Sequence, residues 1–133
     1  MPGSKSDYLE NKLLDLILGN VSYTIPTTLY FALFTVAPSD SGGGTEVTGG
    51  SYARVAVTNN TTNFPAASGG SKGNGTAITW PTATASWGTV LAVGVFDAAS
   101  GGNLLFWTTI SSKTVDSNDT VSIPINNFTV TED

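Results

Sequence analysis

The chain has 133 residues and no Cys or His, and 11% of its residues are charged, against the roughly 25% of an average globular domain. Those absences exclude a disulfide framework, thiolate or imidazole metal ligands, a cysteine nucleophile and an ordinary triad base. A net charge of −5 with five scattered cations excludes the basic stripe that nucleic-acid binding needs.

The length suits one domain spanning residues 1–133. No apolar run approaches the roughly 20 residues of a membrane-spanning helix, and residues 1–6 open no signal-peptide core. Neither a membrane nor a Sec export route is therefore expected. In place of charge the surface must use Thr, Ser, Asn and Gly, and so sparsely charged an exterior is expected to be covered in an assembly.

From the N-terminus, one stretch predicts a helix over residues 6–18. Ser6 can cap it, Asp7 and Glu10 suit the positive end of its dipole, and Leu9, Leu13, Leu16 and Ile17 share one face. Gly19 and Asn20 supply a left-handed stop. The greasy side of this helix, with Leu9, Leu13 and Ile17, needs a partner, either its own sheet or a neighbouring subunit.

Beyond Pro26 the period changes to two. Residues 29–35 are apolar on both faces, which predicts a strand covered from both sides or lying at an interface, with Tyr30 among them. Further strands are predicted over 51–57, where Ala53, Val55 and Val57 share a face, and over 77–80, 88–96, 103–110, 120–125 and 128–131. Pro124 cannot donate to a ladder and predicts an edge or a bulge. Glycine-rich punctuation between the strands makes the expected fold mainly β, a small antiparallel β-sandwich or barrel of about seven strands with one N-terminal helix. Residues 28–131 form the β domain, and residues 58–76 read as one long polar loop, the kind of segment that is usually mobile or functional.

Little in the chain carries chemistry. The carboxylates are scattered, and none form the pair at controlled separation that a glycosidase uses, so no enzyme and no cofactor is expected. Asp116 to Thr120 offers several oxygens but lacks the spacing of a calcium loop and reads as a turn. Arg54, the sole guanidinium, stands between apolar residues and must either pair with an internal carboxylate such as Asp97 or reach another subunit. Trp80 and Tyr52 could offer faces for sugar stacking, whereas Trp87 and Trp107 read as core. Together with Phe64, these residues complete a candidate interface of Leu9, Leu13, Ile17, Tyr30, Tyr52, Arg54, Phe64 and Trp80.

Several segments carry a resemblance: residues 7–15 (DYLENKLLD), 29–38 (LYFALFTVAP), 42–57 (GGGTEVTGGSYARVAV), 81–90 (PTATASWGTV), 94–107 (GVFDAASGGNLLFW) and 112–115 (SKTV). Over about residues 6–131 the chain resembles a family of small tailed-bacteriophage virion structural proteins, often labelled tail-fibre-like. The family has no catalytic motif to transfer. The resemblance implies a virion location after assembly in the host cytoplasm. The expected role is that of a capsid decoration or cement protein, a homo-oligomer binding the major capsid protein. A tail-fibre or baseplate-associated module, bound to tail proteins, and a carbohydrate-binding module for host recognition are the alternatives.

Overall fold

The computed structural model describes residues 2–132. The elements run β1 (Pro2–Lys5), α1 (Asp7–Ile17), β2 (Thr28–Val36), β3 (Thr45–Glu46), β4 (Val55–Thr58), β5 (Ser71–Gly73), β6 (Ile78–Thr79), β7 (Gly88–Phe96), β8 (Leu104–Val115), β9 (Ser122–Ile123) and β10 (Thr129–Thr131). The expected class, mainly β and antiparallel with one helix, is the one that forms, but with ten strands among the described residues where about seven were predicted. One sheet runs β3-β2-β7-β8-β1-β10-β5, with β4 lying beside β3 along the same edge of β2, and β6 pairs with β9 in a second, two-stranded sheet.

Alternation along β2 explains its apolar run. Phe31 and Leu33, opposite Val95 and Val93 of β7, point into the main core, which Ile78, Trp80, Val121 and Ile123 close from the two-stranded sheet. Ala32 and Phe34 point the other way and form a smaller cluster with Ala92. That second face is covered by the segment after β2. Ala37 packs against it, and Asp40 both accepts from the Trp107 indole at 2.9 Å and takes the Asp7 N–H on its carbonyl at 2.8 Å. Gly94 lets the Phe34 ring lie flat on the sheet, since a Cβ there would stand 2.7 Å from Phe34 Cε2.

The helix starts and stops as its residues dictate. Ser6 Oγ accepts from Leu9 N at 3.2 Å, Leu18 N returns to Leu14 O, and Asn20 takes φ 55°. Ser6 is also buried, and it donates its hydroxyl to Leu104 O and its N–H to Leu105 O, so one residue caps α1 and pins it to β8.

Three expectations need correction. Residues 2–5 form a strand, parallel to β10 through Gly3↔Val130 and antiparallel to β8 through Ser4↔Trp107, although Pro-Gly-Ser-Lys has little β propensity of its own. The 58–76 stretch is not one loop: Asn60 Oδ1 accepts from the N–H groups of Thr62 and Asn63 to make a turn, and β5 pairs with β10. Asn74, 1% exposed, orders the rest, donating to Thr76 O and Pro124 O and accepting from Phe128 N. Finally, the strand predicted over 51–57 begins only at Val55, and the one predicted to end at 110 continues to Val115. Pro124 lies just past β9, which pairs with β6 alone, in keeping with the edge predicted for it.

Candidate interaction surface

The eight candidate residues separate into four places. Arg54 and Tyr52 meet around Glu46. The guanidinium forms a two-pronged pair with the carboxylate (Nε to Oε2 2.9 Å, Nη2 to Oε1 2.8 Å), donates Nη1 to Ala98 O and Gly101 O, and lies 3.8 Å over the Phe96 ring. Tyr52 donates to Glu46 Oε2 at 2.7 Å, accepts from Leu33 N at 3.0 Å, and meets Trp87 edge-on. The internal carboxylate expected for Arg54 is thus Glu46 and not Asp97, whose oxygens hold the backbone and side chain of Asn103 and so close the β7–β8 loop.

Burial alone would raise the Glu46 carboxyl, but hydrogen bonds from Arg54 and Tyr52 and the guanidinium charge outweigh it and hold it below the ordinary carboxylate range. Burial, then the hydrogen bond to Glu46, push the Tyr52 phenol well above its usual range, so it remains a donor. This cluster is an internal clamp joining β3, the start of β4 and the β7–β8 loop. Its donors are already committed, which leaves Tyr52 and Arg54 little to offer a partner.

Trp80 belongs to the core. It is 1% exposed and donates its indole N–H to Phe31 O at 3.2 Å, so it presents no face to a sugar or a subunit, contrary to its place among the interface candidates. It directly follows the short strand β6, whose Ile78 joins the same core, and an indole there is worth more as apolar filling than as surface. Tyr30, half-buried, sits opposite Phe96 on the second face of the sheet.

The remaining candidates, Leu9, Leu13, Phe64 and Ile17, mark a region that is apolar and open. Leu9, Leu13 and Leu16 line one wall of a cleft of about 420 Å³; Phe64, stacked 6.3 Å from Phe31, lines another, and Phe106 and Val130 of the sheet form its floor. Of the helix only Leu9 is buried, so α1 stands over the sheet as a roof with a hollow beneath it. The connector after the helix completes the rim with Tyr23, Ile25 and Pro26. Outside the cleft, Leu14, Ile17, Leu18 and Val21 are each more than half exposed, Ile17 at 74% and Leu18 at 75%. Monomeric proteins rarely leave such a contiguous apolar surface uncovered. Sequence reasoning found the helix side of this region and missed the connector, whose only signal was isolated apolar residues, Val21 and Ile25, in a stretch without period.

Elsewhere the polar groups close turns. Asp116 N donates to Asp119 Oδ2, and Asp119 N returns to Asp116 O, the turn predicted for that segment. Among the described residues no group of three or more acidic side chains is placed to hold a metal ion, and no helix is long and apolar enough to cross a membrane.

A family described as podophage GP4 fiber I protein gp80 matches residues 4–131. The chain belongs to this family. It is thereby a tailed-phage structural protein of fibre type, and its association is with other virion proteins. No curated protein matches the chain.

Proposed function

We propose that the chain is a non-enzymatic building block of a phage tail fibre, attached to its own copies and to other tail proteins through the apolar surface of α1 and the connector that follows. The observation that carries this reading is the open, apolar cleft beneath a helix with exposed leucine and isoleucine side chains, in a chain whose family is of fibre type. Contact is the task such a surface performs. The Arg54–Glu46–Tyr52 cluster is committed to internal hydrogen bonds and supports no separate chemistry.

A place on the head, as a decoration or cement protein bridging major capsid proteins, is the second reading, and the sparse surface charge favours it, because lattice contacts would cover that exterior. Imaging of purified particles, with an antibody against this chain as label, tests both. Label on a fibre or at the tail is expected. Label confined to the head shell would replace the fibre reading by the decoration reading, and unlabelled particles would remove both.

A further inference from the structure

We propose that Asn74 is a latent modification site: the fold imposes an asparagine–glycine pair there and keeps it inert, and conversion of Asn74 to aspartate and isoaspartate in the opened chain makes the opening irreversible. Of the ten asparagines only Asn74 precedes a glycine. Without a side chain on the following residue, the peptide nitrogen is unhindered and can attack the asparagine side chain. In the opened chain Gly75 N gives its proton to solvent base and bonds to Asn74 Cγ. The Cγ–Nδ2 bond breaks, and ammonia leaves with the proton that Gly75 gave up. Water then opens the five-membered imide. Opening at the side-chain carbonyl yields aspartate, and opening at the main-chain carbonyl yields isoaspartate. One water is consumed for each ammonia released.

The fold requires both residues of the pair. A Cβ on residue 75 would collide with Thr62 O and stand 2.8 Å from the Pro65 ring. Asn74 uses all of its polar groups: Nδ2 donates to Thr76 O at 2.9 Å and to Pro124 O at 3.0 Å, Oδ1 accepts from Phe128 N at 3.0 Å, and its backbone N–H and carbonyl bond to Phe128 O and Asn126 N. The same bonds block the reaction. Gly75 N–H is held on Asn63 O at 2.7 Å, and Asn74 is 1% exposed, so base and water are kept from the reacting atoms. Bringing Cγ onto Gly75 N means giving up three side-chain bonds together. Reaction therefore proceeds only from molecules in which this region has opened, and the neighbouring β5 is a three-residue strand at the end of its sheet.

The products do not fit the closed site. A carboxylate at position 74 has no N–H to offer Thr76 O and Pro124 O, and sets a buried negative charge against both. Isoaspartate also routes the main chain through the side chain, one carbon longer, between β5 and β6. Each opening that lasts long enough for reaction thus removes a molecule from the folded pool, so persistence of the fold becomes a matter of rate.

Peptide mapping by mass spectrometry, on the full chain held in mildly alkaline buffer with and without guanidinium chloride, tests this. Asn74 should convert roughly a hundredfold faster in denaturant than in the folded chain, because only the opened fraction reacts. On dilution from denaturant, the fraction that fails to refold should grow in step with aspartate plus isoaspartate at position 74, and the folded fraction, isolated by gel filtration, should retain asparagine there. Asn74→Asp, which supplies one product without incubation, should refold in lower yield than the unaltered chain. Equal rates in the two buffers, or no conversion in denaturant, would overturn the protected site. Modified residue 74 in the refolded fraction in proportion to the whole, or an Asn74→Asp chain that refolds like the unaltered one, would overturn the irreversibility. These outcomes are independent of where on the particle the chain sits.

Discussion

Among single residues, Arg54 does the most to hold distant segments together. It ties Glu46 of β3 to the carbonyls of Ala98 and Gly101 while covering Phe96, and its side chain is 7% exposed. Arg54→Ala leaves a partly buried carboxylate without its partner and should cost about 2–4 kcal/mol in urea unfolding. Arg54→Lys keeps the charge but loses the fork and the flat contact with Phe96, and about 1–2 kcal/mol is expected for it. Glu46 adds a pH dependence of definite sign. Its folded pKa is lowered, so its contribution is fully present above the unfolded carboxylate range and is lost as pH falls through the folded value. Unfolding midpoints of the unaltered chain should therefore drop on acidification below about pH 4, more steeply than those of Glu46→Gln, which has no carboxylate to titrate there. A parallel pair of curves would contradict the clamp.

At the level of elements, legibility followed local signals. The helix could be read because Ser6, Asp7, Glu10 and the leucine spacing all agree, and β2 and β7 because their nine residues are mostly apolar and leave few alternatives. β1 and β5 could not, because Pro-Gly-Ser-Lys and Ser-Lys-Gly become strands only through neighbours distant in sequence. Asn74 was equally silent: its amide closes contacts to Pro124 and Phe128 that no local pattern announces. The double role of Ser6 gives an element-scale prediction. Ser6→Ala removes a cap and a buried bond to Leu104 O and should destabilise the chain by about 1–2 kcal/mol. Amide exchange should show the loss first in α1, with β7 protected until global unfolding, because only Leu9 anchors the helix by burial. Uniform acceleration across α1 and β7 would mean that the helix is not separately held.

At the scale of the whole molecule, the low charge read from composition and the apolar cleft read from the fold describe the same property. Leu9, Leu13 and Phe64 were legible parts of that cleft because they stood in patterns or were aromatic; Phe106 and Val130 were not, since strands far apart in sequence bring them there. With a net charge of −5 and a sequence pI near 4.3, electrostatic repulsion between copies is slight and vanishes on mild acidification. Light scattering at fixed concentration should rise as pH approaches 4.3 from neutrality, and a variant carrying Ile17→Asn and Leu18→Asn, which leaves the charge unchanged, should show less of that rise. The sheet order has a consequence for biogenesis. β1 emerges from the ribosome ahead of the other described strands, yet its antiparallel neighbour, Phe106–Trp107, is made roughly a hundred residues later and its parallel one, Thr129–Val130, later still. Until both arrive, β8 and β10 have no bridge between them, so the nascent chain cannot zip up progressively. The sheet cannot close until residues 104–131 have been made, and refolding of residues 2–132 from denaturant should be slow.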